Sequence, residues 1–119
     1  MNLPTDFVNK YQQLMGKSEA AQFIASFDEP TTPGFRLNPL KASQPIDLDL
    51  SEPTEHCQFG YHGQVSGKTV DHQSGAVYSQ EPSAMYVGEV AHPNLGERVL
   101  DLCAAPGGKT THLGSYLQN

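Results

Sequence analysis

Arg98-Val99-Leu100-Asp101-Leu102-Cys103-Ala104-Ala105-Pro106-Gly107-Gly108-Lys109-Thr110-Thr111 is the stretch whose reading decides the fold class. Its first half, Arg98 to Ala104, is a nearly continuous apolar run, the pattern of a strand buried on both faces of a parallel sheet. Pro106, Gly107 and Gly108 end that run abruptly, and a helix is expected from Lys109 to Leu117 with Thr110 or Thr111 in its first turn. A strand, a glycine-rich turn and a helix in this order place backbone N–H groups and a helix N-terminus at the carboxyl edge of a sheet, where nucleotide-like ligands bind. Gly107 and Gly108 carry no side chain to obstruct a ligand and tolerate the positive φ values that such turns require.

The same turn has to be weighed against a phosphate-binding loop, because Gly108-Lys109-Thr110 supplies the last three positions of Gly-x-x-x-x-Gly-Lys-Ser/Thr. Cys103 stands where the first glycine is needed, and Pro106 lacks one of the N–H donors that such a loop aims at phosphate oxygens. Lys109 therefore reads as a first-turn helix residue near a pocket. Asp101 interrupts the apolar run, and a buried carboxylate must be hydrogen-bonded or neutralised, so a structural or cofactor-site hydrogen-bonding role is favoured over catalysis.

Upstream, Pro4 to Met15 reads as an amphipathic helix, with Phe7, Val8, Tyr11, Leu14 and Met15 at helical spacing and Gly16 as its left-handed stop. Ser18 is expected to cap a second helix whose Ala20, Phe23, Ile24 and Phe27 share a face, ended near Pro30, so that the two pack as a hairpin. From Pro30 to about Val77 the pattern changes to short strands and turns. Phe35-Arg36-Leu37-Asn38 follows a Pro-Gly pair, Ile46 to Leu50 alternates apolar and acidic residues, and Gly60, Gly63, Gly67 and Gly75 punctuate the rest. Pro82 and Ser83 open a third helix to about Val90, with Ala84, Met85, Val87 and Ala91 available for packing.

The chain has 119 residues, 37% hydrophobic and 17% charged, with nine prolines and eleven glycines, a composition suited to turns and short strands. That length suits one modest domain and is short for a complete enzyme of the α/β class. A net charge of −6 and a pI near 5.1 argue against independent nucleic-acid binding, which requires clustered Lys and Arg. No apolar run approaches the ~18 residues of a membrane span, and Asn2, Pro4, Thr5 and Asp6 do not resemble a signal peptide, so a cytoplasmic protein with no membrane partner is expected. Cys57 and Cys103 are expected to be reduced. His56, Cys57, His62 and His72 lack the paired spacing of a zinc site, and no metal is expected. Arg36 and Lys41 could touch phosphate, but isolated cations on a strand or turn are more often solvated, and that is the reading adopted for both.

The run Leu100 to Thr111 closely resembles motif I of the Nop/Sun family of RNA 5-methylcytosine methyltransferases. Tyr78-Ser79-Gln80-Glu81-Pro82-Ser83-Ala84-Met85 is similar to the signature that precedes the family's methyltransferase core, and Arg36-Leu37-Asn38-Pro39-Leu40-Lys41 resembles its amino-terminal Arg-x-Asn segment. The paired helices before Phe35 also look like the start of this family, so the resemblance covers nearly the whole chain and is weakest between Ser43 and Ser74.

The resemblance implies an α/β protein, with an α+β accessory domain at residues 1–74 followed by the beginning of a Rossmann-like methyltransferase domain at 75–119, truncated after motif I. It implies that Cys103, Ala104, Ala105, Pro106, Gly107, Gly108 and Lys109 line an S-adenosylmethionine pocket, with backbone atoms around Ala104, Gly107 and Gly108 nearest the methionine moiety. Family chemistry uses one cysteine thiolate to attack carbon 6 of cytosine and a second to assist release. Both belong to motifs downstream of motif I, so neither Cys57 nor Cys103 takes a catalytic role, and the isolated chain is expected to be inactive. RNA, ribosomal before transfer RNA, is the implied partner of the full-length parent. The alternative is a stand-alone, non-catalytic module that binds RNA or protein.

Overall fold

The computed structural model describes residues 2–117, which form two compact units separated in sequence between Thr31 and Thr32. The first contains helices α1 (Thr5–Met15) and α2 (Lys17–Ala25) and a 3₁₀ turn at Ser26–Asp28. The expected hairpin is present, since α1 and α2 pack on each other. Phe7, Tyr11, Phe23 and Phe27 make its apolar contact, with ring centroids 4.6 Å apart for Phe7–Tyr11, 4.7 Å for Tyr11–Phe23 and 5.2 Å for Phe23–Phe27. Each such pair contributes about 0.5–1.5 kcal/mol beyond its buried area. Leu14 lies outside this contact and is exposed.

The second helix begins one residue earlier than its expected cap. Gly16, at φ +82°, ends α1 and also starts α2: its N–H donates to Gln12 O at 3.0 Å, and its own carbonyl accepts from Ala20 N at 3.0 Å. Ser18 therefore sits inside the first turn of α2 and makes no capping bond. A single glycine serving both ends leaves no linker in which a serine cap could stand.

The second unit is built on a three-stranded antiparallel sheet in the order β2-β1-β3, formed by β1 (Gly34–Leu37), β2 (Gly60–His62) and β3 (Val77–Ser79). Phe35 pairs with Tyr61 on one side and Ser79 on the other, and Arg36 with Gly60 and Tyr78. The alternation of the central strand divides its side chains between two faces. Phe35 and Leu37 join Val65, Ala76, Val77 and Tyr61 in the apolar core on one face. Helix α4 (Pro82–Ala91) contacts β1 and β2, with Met85 fully buried, and α5 (Gly108–Leu117) packs on α4. The α4–α5 contact is close at Gly88, where a Cβ would lie 2.2 Å from Nδ1 of His112. The packing face of α4 is thus Met85 and Gly88. Val87 and Ala91, expected to pack, are exposed.

Three expectations fail in instructive ways. Ile46 to Leu50 forms no strand, although Ile46 and Leu48 do pack against the core, so the alternation reports one-sided burial of an extended segment without a ladder. A one-turn helix, α3 (Val70–Gln73), interrupts the region expected to be strand and turn, capped where Thr69 Oγ1 accepts from His72 N at 3.3 Å. Most consequential, Arg98 to Ala104 is not a strand. Val99, Leu100 and Leu102 are 44%, 80% and 85% exposed. A parallel strand exists only through the neighbours that accept and donate its hydrogen bonds, and among the described residues no strand lies beside this segment. Among those residues no helix is long and apolar enough to cross a membrane.

Candidate functional site

The turn from Cys103 to Lys109 keeps a definite shape although the run before it is irregular and largely exposed. The Ala105–Pro106 peptide is cis, and Gly107 takes φ +110°, a conformation that residues with a Cβ rarely adopt. Thr111 N donates to Gly107 O at 2.9 Å, closing the first turn of α5. At any helix start the first amides lack intrahelical acceptors, and here they are those of Gly108, Lys109 and Thr110. A cleft of ≈ 210 Å³ opens beside them, lined by all seven residues from Cys103 to Lys109 together with Tyr78, Ser79, Gln80 and Ala84. All seven residues expected to bind the cofactor thus line one cleft. Sequence reasoning missed the opposing wall from β3 and α4, whose signal was the Tyr78-to-Met85 motif itself.

Asp101 ties the run before the turn to the helix. Its carboxylate accepts from Cys103 N at 2.9 Å and from Thr110 Oγ1 at 2.6 Å, and these two bonds hold its pKa below the ordinary carboxylate value. The residue thus takes the structural hydrogen-bonding role expected of it, in a partly exposed setting.

Arg36 corrects both sequence readings, since it is neither solvated nor free for phosphate. It is 3% exposed. Its Nε donates to Gln80 Oε1 at 3.2 Å, and its Nη2 to Thr111 Oγ1 at 3.0 Å and Gly108 O at 3.5 Å. Phe35 and Leu37 turn to the apolar core, so Arg36 between them must turn to the face covered by helices. The lone cation inside an apolar four-residue strand was the available signal. Lys41 is partly buried, and its ammonium donates to the Ser74 carbonyl. Tyr78 completes the support, its hydroxyl donating to Pro106 O at 3.3 Å.

Behind this support lies a second polar cluster that brings Cys57, Glu89, His112 and Tyr116 together. Sequence reading grouped Cys57 with His56, His62 and His72; the fold instead sets it beside Glu89 and His112, with potential ligand atoms within 4.8 Å of one another. Tyr116 donates its hydroxyl to Glu89 Oε1 at 2.7 Å, and the same oxygen lies 3.3 Å from His112 Nε2. Burial pushes the Cys57 thiol up to about 11, helped by the Glu89 carboxylate. Burial also raises Glu89, but hydrogen bonds from Tyr116 and Cys57 outweigh this and leave its pKa lowered. His112 is held below its ordinary value by burial and then by the Arg36 cation.

These directions describe a neutral imidazole and a protonated thiol gathered on one carboxylate. A proton on Nε2 facing Glu89 leaves Nδ1, which has no partner among the described residues, as a bare lone pair. Metal ligation by Nε2 would move that proton to Nδ1 and create a buried donor without an acceptor, the costlier orphan, where metal-bound histidines ordinarily donate to a second partner. The geometry therefore favours hydrogen bonding over ligation. Cys57, buried and protonated, is not an activated nucleophile.

With this geometry in hand, known proteins place the chain. A family model described as the N-terminal domain of 16S rRNA methyltransferase RsmF matches residues 3–82, and one described as 16S rRNA methyltransferase RsmB/F matches residues 89–119, which include the whole turn. The ribosomal RNA small subunit methyltransferase F of Pectobacterium carotovorum is 36% identical over 136 residues, covering 99% of this chain and 28% of that protein. The probable ribosomal RNA small subunit methyltransferase B of Synechocystis sp. is 27% identical over 127 residues, again covering 98% of this chain and 28% of that protein. The crystal structure of a methyltransferase homolog protein from Pyrococcus horikoshii matches with a TM-score of 0.69 and 26% identity over 98% of this chain and 41% of that one. The chain thus spans 28% of the length of the curated relatives it matches. Matched over most of its length in the order the motifs run, the chain belongs to the RsmB/F family of 16S rRNA methyltransferases.

Proposed function

We propose that the chain is the amino-terminal part of an S-adenosylmethionine-dependent enzyme that makes 5-methylcytosine in ribosomal RNA, and that the Cys103-to-Lys109 turn holds the methionine end of the cofactor. In this reading residues 1–74 are an accessory region and residues 75–119 open a Rossmann-like methyltransferase domain. The observation that carries it is the turn itself: Gly107 at φ +110° and the first-turn amides of α5 border a cleft within the segment matched by the RsmB/F family. Unpaired amides at a helix start suit a carboxylate, which the methionine end supplies.

The fit is partial in a way that the reading requires. Ligand pockets commonly enclose ~300–1,000 Å³, and this cleft of ≈ 210 Å³ can take one end of such a ligand. The cofactor supplies an electrophilic methyl group on a sulfonium; the chain's own residues bind and orient. Further strands beside Val99 to Leu102 would complete the sheet edge and cover the apolar side chains now exposed there. Thiolate addition to the base is assigned to parts of the enzyme outside this chain: Cys57 is buried with a raised pKa, and Cys103, though exposed, lies within the turn assigned to the cofactor and not in the downstream motifs that carry the family's cysteines. The acidic balance likewise leaves RNA contacts to other parts of the enzyme. A ribosomal RNA substrate is the support for reading the enzyme as cytoplasmic.

Calorimetry with S-adenosylmethionine on the full-length protein tests the site. Gly107→Val should weaken binding at least tenfold, equivalent to about 1.4 kcal/mol, whereas Cys103→Ser should change it little. Undiminished affinity in a folded Gly107→Val protein removes the turn from the pocket. With radiolabelled cofactor and unmodified ribosomal RNA, the full-length protein should transfer methyl groups and the 119-residue chain should not. Transfer by the chain alone overturns the assignment of the nucleophile.

A further inference from the structure

The buried Arg36 is unexplained by packing alone, since an apolar side chain would cover the same face of β1 without the cost of removing a guanidinium from water. What the cation reaches is informative. Its Nη2 lies 3.0 Å from Thr111 Oγ1 and 3.5 Å from Gly108 O, both in the first turn of α5, while its Nε is held by Gln80 Oε1 at 3.2 Å. Gln80 in turn packs beside the turn, where a Cβ on Gly108 would stand 3.2 Å from its Nε2. Tyr78, next to Arg36 across the sheet, donates to Pro106 O at 3.3 Å. One strand pair therefore grips the carbonyls on both sides of Gly107.

We propose that Arg36 is a positioning residue for the cofactor turn: held by Gln80, it acts through Gly108 and Thr111 to set the plane of the peptide whose N–H belongs to Lys109, while Tyr78, its neighbour across the sheet, holds the peptide whose N–H belongs to Gly107. This rests on the reading of the turn as the S-adenosylmethionine site. Because a peptide unit is planar, fixing its carbonyl fixes the N–H on the same unit. A guanidinium suits the task, since it presents several donors in a rigid fork and stays charged when buried. Arginine can thus serve Gln80, Thr111 and Gly108 at once, where lysine offers a single flexible ammonium. Strand β1 becomes part of the cofactor site although none of its residues lines the cleft.

The test is S-adenosylmethionine affinity in the full-length protein, measured with hydrogen exchange at the Gly107 and Lys109 amides of the unliganded protein. Arg36→Met should weaken binding about tenfold and speed exchange at the Lys109 amide more than at the Gly107 amide, whose peptide Tyr78 holds, and Arg36→Lys should restore only part of each loss. Thr111→Val, at an exposed position, should weaken binding about threefold and show no further loss when added to Arg36→Met, since the two share one contact. It carries the test if Arg36→Met does not fold. Leu37→Ala, on the same strand but facing the apolar core, should lower the melting temperature while leaving affinity within twofold of wild type. Wild-type affinity and exchange in folded Arg36→Lys and Thr111→Val proteins would overturn the positioning role alone. Equal weakening by Leu37→Ala would reduce Arg36 to a structural residue. A wild-type protein that binds no S-adenosylmethionine overturns the turn reading itself, and the inference with it.

Discussion

Gly34-Phe35-Arg36-Leu37 and Val99-Leu100-Asp101-Leu102 are two short apolar runs, each with one charge at its third position. The first is the centre of a sheet, with a strand on either side and Phe35 2% exposed. The second, the more apolar of the two, forms no regular element and enters a turn at Leu102, which is 85% exposed. The embedded charges follow suit: Arg36 is buried across elements on Gln80 and Thr111, whereas Asp101 bonds locally to Cys103 and Thr110. Apolar character is a property of a segment, but being a strand is a property of a set of segments. The first run finds partners in the strands that begin at Gly60 and Val77, and no strand pairs with the second among the described residues.

The comparison breaks most visibly by truncation. Phe35→Ala should cost about 3–5 kcal/mol in denaturant unfolding of the second unit, whereas Leu102→Ala in the same chain should stay within about 0.5 kcal/mol. Comparable losses at the two positions would mean that the 99–102 run is buried in solution after all.

A smaller loss is expected behind the central strand. Gly88→Ala places a methyl carbon 2.2 Å from the buried His112 ring, and overpacking of this kind costs about 1–3 kcal/mol. A neutral or stabilising effect in thermal unfolding would show that α4 and α5 pack more loosely than described.

His112 sharpens the comparison through pH. Its folded pKa lies below its ordinary 6.5, so on acidification the unfolded chain takes up the proton first. Stability is therefore full above about pH 6.5 and declines as the pH falls through and below that value, with the slope set by the protons that the unfolded state binds in excess. Glu89, whose folded pKa is also lowered, contributes stability above its ordinary value of 4.5 and loses it as the pH falls through its folded pKa. His112→Gln should flatten the melting temperature between about pH 7 and 5 and leave the more acidic, carboxylate-driven decline in place. An unchanged slope in that variant would place the titrating group elsewhere.

Within the 119-residue chain the smallest effect belongs to Leu100→Asp, expected to stay within about 0.5 kcal/mol, whereas the same change should destabilise the full-length protein, where further strands would cover this run. Tolerance in both would argue that the run stays outside any sheet.

This contrast also marks what was legible in the sequence. The helices carry their instructions locally: periodic aromatic residues, Gly16 at a positive φ, Pro82 at the start of α4, and the glycine turn before α5. The turn of the candidate site was legible for the same reason, since Pro106, Gly107 and Gly108 dictate its shape within a few residues. The sheet was not, because the order β2-β1-β3 joins segments some 20 to 40 residues apart and nothing in Ile46 to Leu50 separates a ladder strand from an extended flank. Arg36 was misread for that reason: the face a strand residue takes is known once its partners are, and only then does the cation come to lie against Thr111.

The two thiols occupy unlike settings, and this makes the molecule convenient to instrument. Cys57 is sealed beneath α4 and α5 with its pKa near 11, while Cys103 is exposed on the rim of the cleft. A thiol-specific dye therefore attaches to the native chain at one address, beside the turn whose occupancy is in question. Its emission, or the rate at which it attaches, becomes an optical gauge of the cleft that needs no engineered cysteine, and unfolding announces itself when the second thiol begins to react.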